Sequence, residues 1–354
     1  MVRFRFVDHA PDRAVIEEAL PVPVISIERL SGGRNARTYR IVCADGRCLA
    51  AKLYHRSSVD RRDRLATEFG ALVFLWQHGI AAIPKPIAIH PSHGLGIYAF
   101  VDGSAVDSRT VEPADIDEAA DFLASLDELR SRRAASRLRC ASEACFTVAQ
   151  TIESIEARLQ RLAGVSGGAP LHGELRQFLE HELLPSFVRT RQWACQRLEE
   201  IGFPADRILS PNERTLSPSD FGFHNAIRQK NGRLAFVDFE YFGWDDPAKT
   251  IADFLLHPGM ETPSTLRSRL ARRLLGLFDR EGWLRPRLDV MLPLLAIKWC
   301  LILLNEFVPE SQARRDHAAT TESHLEHRCA CQLAKARSML AEARNNHDDR
   351  RLWR

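Results

Sequence analysis

The sequence lacks several features by which whole protein classes are recognised. Its 49 basic and 46 acidic residues nearly cancel to a net charge of +3, so no strong field of one sign surrounds the protein. No basic stripe with interleaved aromatic residues stands out, which argues against nucleic-acid binding. With 45% hydrophobic and 27% charged residues, the composition is that of a globular protein and excludes disorder, collagen and a disulfide scaffold.

Long uninterrupted apolar runs are also missing. The longest run, residues 290–304, is broken by Pro293 and Lys298, which predicts a buried helix rather than a membrane span. Residues 1–6 lack the continuous apolar core of a signal peptide. We therefore expect a protein that neither crosses a membrane nor is exported, and that works in the cytoplasm.

The eight cysteines show no spacing typical of a disulfide framework, so reduced thiols are expected. His324 and His327 lie three residues apart on a predicted helix, close to Cys329 and Cys331. A Cys-x-Cys pair on a helix points its thiols to different sides. Helix packing is therefore favoured over a metal site at these four residues. Nothing in the sequence indicates an oligomeric state.

The first hundred residues carry the signals of a small sheet with one helix. Short apolar runs are separated by turn signals such as Ala44-Asp45-Gly46, which predicts hairpin-connected strands. Apolar residues recur at helical spacing from about Val59 to His78, and Gly79 provides a helix stop. The predicted strands are Val24–Leu30, Thr38–Val42, Leu49–Tyr54, Pro86–Ile89 and Leu95–Val101.

Beyond residue 101 the chain is mainly helical. A single strand pair is predicted between Asn225 and Asp238, joined by Asn231-Gly232, which is a strong hairpin signal. The change of character predicts an N-terminal lobe of residues 1–101 and a C-terminal lobe of residues 102–354. Helical periodicity predicts helices over Pro113–Leu129, Thr147–Leu162, Leu171–Glu200, Thr265–Arg280, Leu288–Phe307 and Pro309–Ala343.

The residues with the strongest chemical signal are Asp220, Asn225 and Asp238. Four residues separate the first two, and Asp238 follows thirteen residues after Asn225. Phosphoryl transfer needs a carboxylate that orients the attacking hydroxyl and oxygen ligands for Mg²⁺. Each residue alone could merely cap a turn, but their order and spacing together favour the chemical interpretation.

A second group of candidate site residues lies in the N-terminal part of the chain. Lys52 lies within an apolar strand, where an unpaired ammonium is costly, and Glu68 in the following helix is its natural partner. Such a pair positions a lysine for the α- and β-phosphates of a nucleotide. Upstream, the turn that contains Gly32, Gly33 and Asn35 can bring backbone N–H groups near phosphate. A plain hairpin turn, a solvent-facing lysine and an exposed helix carboxylate are the structural alternatives.

Together these motifs resemble the aminoglycoside phosphotransferase and choline kinase family. The resemblance covers about residues 25–260. It is most specific at Asp220 to Asn225 and at Phe236-Val237-Asp238-Phe239-Glu240, and it continues through Gly243-Trp244-Asp245-Asp246-Pro247. The resemblance implies a two-lobed, protein-kinase-like α+β fold, with a small antiparallel-sheet N-lobe and a large, mainly helical C-lobe.

The resemblance also implies an activity and a role for each residue. It implies transfer of the γ-phosphoryl group of ATP or GTP to a small-molecule hydroxyl, such as that of an aminoglycoside, a sugar or an amino alcohol. Asp220 is then the catalytic base, and Asn225 and Asp238 hold Mg²⁺. Lys52 and Glu68 position the nucleotide, and Ala99, Phe100 and Val101 form the hinge segment whose backbone meets the purine.

One departure from the family pattern keeps another function open. Pro218 and Ser219 stand where the family usually has His-Gly. That histidine mainly supports the catalytic loop, and the rigid ring of Pro218 can provide the support instead. A pseudokinase that binds nucleotide or a partner without transfer is the alternative. A protein kinase proper is disfavoured because no Ala-Pro-Glu element follows Asp238.

Overall fold

A computed structural model of the protein describes residues 10–30, 35–55, 62–165, 167, 170–318 and 325–349. These residues form two compact units. The first contains the described residues within Met1–Ser104, Ile227–Glu240 and Ala313–Glu322, and the second those within Ala105–Ala226, Tyr241–Gln312 and Ser323–Arg354. This division groups residues 227–240 with the N-terminal ones, whereas the predicted boundary after residue 101 follows chain order.

The first unit is built on a five-stranded antiparallel sheet with the order β1-β2-β3-β5-β4. Alternating burial along β2 and β3 places Tyr39, Ile41, Leu49, Ala51 and Leu53 in one apolar core. This is the pattern of a sheet with one covered face. The predicted strands are confirmed, with the bounds β1 Val24–Leu30, β2 Ala36–Cys43, β3 Cys48–Tyr54, β4 Pro86–His90 and β5 Leu95–Ala99.

Two helices and a smaller sheet complete the first unit. Helix α1 (Ala10–Glu18) was not predicted, and its Ile16 is fully buried in the core of the large sheet. Helix α2 (Arg64–Gln77) begins where the Asp63 side chain accepts the backbone N–H of Ala66 at 2.9 Å, a typical N-cap. Residues 59–61 of the predicted helix lie outside the described residues. The second sheet has the order β6-β8-β9, with β6 Gly103–Ala105, β8 Ala226–Gln229 and β9 Leu234–Phe236.

The second unit is mainly helical. Its strands β7 (Thr215–Ser217) and β10 (Gly243–Asp245) pair antiparallel. A π-helical segment, Phe178–Leu183, divides the predicted helix 171–200 into α5 and α6. The helices are α3 Pro113–Leu129, α4 Val148–Ala163, α5 Pro170–Gln177, α6 Leu184–Glu200, α7 Pro247–Leu256, α8 Ser264–Phe278, α9 Leu284–Leu303 and α11 Leu325–Asp349. The predicted helix 309–343 contains α10 (Pro309–Ala318) and most of α11, and residues 319–324 between them lie outside the described residues.

Helix α9 lies at the centre of the second unit and contacts α4, α6, α7 and α11. Residues Leu284–Phe307 have the length and mean hydropathy (1.8) of a membrane span, but 78% of that apolar window is buried inside the protein. Burial by neighbouring helices on several sides explains why α9 is apolar all round. The prediction of a buried core helix here is confirmed.

Candidate active site

Lys52 lies in the interior of β3, where its neighbours across the sheet are Thr38 and Gly96. Its Nζ donates to both carboxylate oxygens of Glu68 at 2.9 and 2.8 Å, and to Oδ1 of Asp238 at 2.9 Å. Glu68 reaches Lys52 because α2 packs against β4 and β5. The ion pair predicted from the apolar strand and the following helix is therefore present, and it includes Asp238 as a third member.

Two tyrosines support this pair. The Tyr54 hydroxyl donates to Oε2 of Glu68, and it lies 3.1 Å from the hydroxyl of Tyr98. Tyr54 follows Lys52 by two residues, so both side chains lie on the same face of β3. A Cβ atom at Gly96 would lie 2.4 Å from the Tyr98 hydroxyl, so only glycine admits that ring beside Lys52. Neither tyrosine was predicted from the sequence, although the i, i+2 spacing of Lys52 and Tyr54 was a usable signal.

Asp238 has an unusual backbone conformation. Its φ angle of +70° lies in the left-handed region, which aspartate tolerates better than most residues. Strained backbone of this kind clusters at functional sites. Burial by itself lowers the pKa of Lys52, but the negative charges of Asp238 and Glu68 outweigh it and raise that pKa well above its usual range. Lys52 therefore stays cationic at any physiological pH.

Glu240 lies two residues beyond Asp238 and is almost fully buried. Burial, followed by the charge of Asp238, raises its pKa to about 8. The Asn35 amide donates to Oε1 of Glu240, and Nε of Arg64 lies 3.8 Å from the same oxygen. Asn35, predicted to bind nucleotide, thus ties the start of β2 to the segment after β9. Gly32 and Gly33 of the predicted turn lie outside the described residues.

The backbone of the predicted hinge is partly engaged within the first unit. The N–H of Ala99 donates to the carbonyl of Lys85 at 2.8 Å, and that of Phe100 to the carbonyl of Cys48 at 3.2 Å. Ala99, Phe100 and Val101 line a cavity of about 510 Å³ whose other walls include Trp76. Neither Lys52 nor Asp238 lines this cavity, so it is separate from the Lys52–Asp238 contact.

In the second unit, Asp220 and Asn225 lie on one loop between β7 and β8. The amide Nδ2 of Asn225 donates to the backbone carbonyl of Asp220 at 3.0 Å. Nε2 of His224 lies 3.1 Å from Oδ1 of Asp220, and Nε2 of His257 lies 3.4 Å from the same oxygen. A separate cavity of about 670 Å³ in this unit is lined by neither Asp220 nor Asn225.

Lys249 anchors the loop that carries Asp220. Its Nζ donates to Oγ of Ser219 at 3.0 Å and to Oδ2 of Asp245 at 2.9 Å, and lies 2.8 Å from Oδ2 of Asp253. Ser219 has a φ angle of +67° and directly precedes Asp220. From the sequence, support of this loop was expected from the rigidity of Pro218. The structure adds a lysine from α7 whose ammonium bonds to the residue just before Asp220.

Helix α7 is itself anchored at its start. Asp246 caps the helix by accepting the N–H of Ala248 at 2.8 Å, and its other oxygen lies 2.8 and 2.9 Å from two guanidinium nitrogens of Arg287. Both side chains of this ion pair are fully buried. A fixed α7 delivers Lys249 from its first turn and His257 from just beyond its last residue. These residues were missed because the contacts of Lys249 and His257 with the Asp220 loop, and that of Asp246 with Arg287, join positions distant in sequence.

Asn225 in the second unit and Asp238 in the first each offer an oxygen donor. Mg²⁺ prefers carboxylate and amide oxygens. Because Nδ2 of Asn225 is held by the Asp220 carbonyl, the amide is oriented and its Oδ1 is presented as an oxygen donor. Asp238 is only partly buried and uses Oδ1 for Lys52, so its carboxylate can offer Oδ2 to a cation. The chemistry of both side chains therefore agrees with the predicted roles.

Comparisons with known proteins identify the family of this chain. The sequence model described as the phosphotransferase enzyme family matches residues 26–288, well over half of the chain. The chain belongs to the phosphotransferase enzyme family. A search of the curated proteins finds no significant match.

Solved structures show the fold that goes with this family. Choline kinase LicA from Streptococcus pneumoniae is 16% identical, with 94% of this chain and 98% of that one covered and a TM-score of 0.60. The Plasmodium vivax ethanolamine kinase is 15% identical, with 93% and 85% covered and a TM-score of 0.60. A spectinomycin phosphotransferase in complex with ADP and spectinomycin is 9% identical, with 96% and 98% covered and a TM-score of 0.64. The predicted kinase-like fold class is confirmed.

One sequence feature of this phosphotransferase has a structural explanation. Nine acidic residues and a single arginine lie between Asp102 and Glu128, a stretch that could attract a cationic substrate. Several of these acids instead pair with arginines in or just after α8. Asp117 contacts Arg269 and Arg273, and Asp127 contacts Arg280. The stretch therefore carries far less net charge than its composition implies.

Proposed function

We propose that the protein transfers the γ-phosphoryl group of ATP or GTP to a hydroxyl of a small molecule. The observation that carries this proposal is Lys52, an ammonium held by Glu68 and Asp238 at 2.8–2.9 Å within an apolar strand. A lysine fixed in this way is the recurring phosphate-positioning device of kinases. Membership of the phosphotransferase family supports the reaction class.

On the donor side, Lys52 contacts the α- and β-phosphates, and Glu68 with Tyr54 keeps its ammonium in place. Asn225 and Asp238 hold Mg²⁺, which neutralises the phosphate charge when bound. At the hinge, the N–H groups of Ala99 and Phe100 already donate within the protein. Val101 is therefore the hinge residue that we expect to meet the purine.

On the acceptor side, Asp220 is the catalytic base. It orients the attacking hydroxyl and accepts its proton as the new oxygen–phosphorus bond forms. The bond between the γ-phosphorus and the bridging oxygen breaks, and the nucleoside diphosphate leaves with the electron pair. Lys249 and Ser219 keep the Asp220 loop in position during this step, because the Lys249 ammonium donates to the hydroxyl of Ser219 directly before Asp220.

The names of similar structures indicate where to search for the acceptor. They include kinases of choline and ethanolamine and phosphotransferases in complex with spectinomycin or gentamicin. These molecules all carry hydroxyl groups, and most carry amines. We therefore propose an amino alcohol, an aminoglycoside or a related sugar as the acceptor.

The test is a transfer assay with γ-labelled ATP and GTP and Mg²⁺ across amino alcohols, aminoglycosides and sugars. We expect at least one acceptor to be labelled, and the transfer to disappear when Mg²⁺ is chelated. Asp220→Asn should lower kcat by about 100-fold or more while the thermal shift produced by Mg²⁺-ATP remains. Asp206→Asn, which alters an exposed carboxylate in the same unit, is the matched control and should leave kcat unchanged.

Two outcomes would contradict the proposal. Undiminished transfer by Asp220→Asn would remove Asp220 from the role of base. A thermal shift with Mg²⁺-ATP, without transfer to any acceptor and without ATP hydrolysis, would show that the protein is a pseudokinase that only binds nucleotide.

A further inference from the structure

Two imidazole rings converge on one oxygen of Asp220. Nε2 of His224 lies 3.1 Å from Oδ1, and Nε2 of His257 lies 3.4 Å from the same atom. The rings are stacked almost parallel, with centroids 3.7 Å apart and an interplanar angle of 5°. His224 comes from the Asp220 loop and His257 from the segment after α7, so two separate parts of the chain meet at this carboxylate.

The neighbourhood of His224 is shaped to admit its ring. A Cβ atom at Gly222 would lie 2.8 Å from Nδ1 of His224 and 2.9 Å from Sδ of Met260. Any side chain at position 222 would therefore displace the imidazole. Gly222 has an extended backbone (φ 169°) that other residues also adopt. Glycine is therefore needed at this position because the His224 ring occupies the space that a side chain would fill.

His257 is held in one tautomer. The backbone N–H of Gly259 donates to its Nδ1 at 3.0 Å, which requires a lone pair on Nδ1. In the neutral ring the proton then lies on Nε2, the atom that faces Asp220. The indole of Trp299 packs edge-on against the imidazole at 4.8 Å, and its Nε1 donates to Asp253 at 2.9 Å. Both the protonation pattern and the orientation of His257 are therefore set by its neighbours.

Asp220, His224 and His257 also have the composition of a metal site, since one ligand atom from each lies within 4.8 Å of the others. A metal needs the lone pair of Nε2, but the Gly259 N–H places the proton of His257 on that nitrogen. Metal-bound histidines normally donate their second ring nitrogen to an acceptor. His257 does the opposite, and Nδ1 of His224 has no partner among the described residues. The geometry therefore argues against two metal ligands: His224 hydrogen-bonds to Oδ1, and the Nε2 of His257 lies within reach of the same oxygen.

We propose that His224 and His257 are positioning residues that clamp Oδ1 of Asp220 and direct the substrate proton to Oδ2. This inference rests on the proposed role of Asp220 as base. Two N–H donors on one oxygen lower its affinity for a proton and stop rotation of the carboxylate. The proton of the attacking hydroxyl is then taken up by the other oxygen, whose direction is fixed before the substrate arrives.

The kinetic test compares three variants. His257→Leu removes the donor and should lower kcat by about 10- to 100-fold, with the KM for the nucleotide nearly unchanged, because the donor-side residues are intact. His257→Gln keeps an N–H near the position of Nε2 and should recover most of the lost kcat. His172→Leu is the matched control, since His172 is another half-buried histidine of the second unit, edge-on to Phe307. Its kcat should equal that of the wild type.

A measurement that needs no substrate separates this inference from the proposed function. Long-range ¹H–¹⁵N spectra of the ¹⁵N-histidine-labelled full-length protein should show His257 as the Nε2–H tautomer. The Nδ1–H tautomer would overturn the inference whatever the reaction is. So would a kcat of His257→Leu equal to wild type while Asp220→Asn is inactive. Tight binding of Zn²⁺ in a chelator competition, lost in His257→Leu, would identify the cluster as a metal site instead.

Discussion

Lys52 in the first unit and Lys249 in the second are each held by two carboxylates, but the two clusters differ in exposure. The Lys249 side chain is 4% exposed, and its partners Asp245 and Asp253 are 0% and 12% exposed. Lys52 is 17% exposed, and its partner Asp238 is 35% exposed. The Lys249 cluster is therefore closed to solvent, whereas the Lys52 cluster is open to solvent at Asp238.

This difference separates a structural role from a ligand-binding role. The ammonium of Lys249 uses its N–H donors in bonds to two carboxylates and a serine hydroxyl of the protein itself. Its role is therefore to hold the Asp220 loop in place. A lysine whose second carboxylate faces solvent can exchange a contact for a ligand. Each cluster also touches a non-glycine residue with positive φ, Asp238 at +70° and Ser219 at +67°, the two found among the described residues. In both places the lysine stabilises strained backbone at a proposed catalytic position.

The largest expected effect is on stability at the closed cluster. Lys249→Met leaves Asp245 and Asp253 buried without a counter-charge, and should lower the free energy of unfolding by about 3–5 kcal/mol. Urea denaturation measures the loss. Lys335→Met, at an exposed position of α11, is the control and should change stability by less than about 0.5 kcal/mol. Equal stability of the two variants would show that Lys249 does not neutralise a buried charge.

At the open cluster the balance of effects should reverse. Lys52→Met should cost less stability, about 1–3 kcal/mol, because solvent reaches Asp238 and Tyr54 still donates to Glu68. It should nevertheless lower phosphoryl transfer by about 100-fold or more, because the phosphates lose their cation. Denaturation and the transfer assay are run together on both lysine variants and on Lys335→Met. The comparison fails if Lys52→Met is the less stable of the two lysine variants and retains transfer.

The smallest effect is expected at two helix glycines that touch neither cluster. Gly70 in α2 and Gly276 in α8 are exposed, and a Cβ atom at either position meets nothing within 4 Å. Gly70→Ala and Gly276→Ala should each stabilise the protein by about 0.5–1 kcal/mol, again measured by denaturation. Destabilisation by Gly70→Ala alone would indicate that α2, which carries Glu68, requires backbone freedom that α8 does not.

Local features of the sequence were sufficient for most of the secondary structure. Strand β1 and helix α3 have the predicted bounds, because β-branched apolar content and helical periodicity are encoded within a few residues. Helix α4 likewise begins at a local capping box between Thr147 and Gln150. Helix α1 was missed because its apolar residues are few and are explained only by burial against the sheet. The division of residues 171–200 by a π-helical segment was likewise not visible in the periodicity.

Some residues of the candidate site could likewise be predicted from the sequence, and others could not. The pairing of Lys52 with Glu68 was predictable, because an ammonium in an apolar strand needs a nearby acid and only one suitable acid follows. The loop that carries Asp220 and Asn225 was singled out by its motif, which is contiguous in sequence. Lys249 and His257 were not, because their contacts with Ser219 and Asp220 join residues thirty or more positions apart, and no local pattern encodes such a contact.

The sequence by itself determined the kinase-like fold class, the family and the identity of the main candidate residues. These follow from short motifs and from periodicities that each segment carries alone. Only the tertiary structure decided that Asp238 joins Lys52, that Lys249 supports the loop at Ser219, and that two histidines meet one oxygen of Asp220. These contacts depend on the folded path of the chain, and on burial that makes an unpaired charge or donor costly.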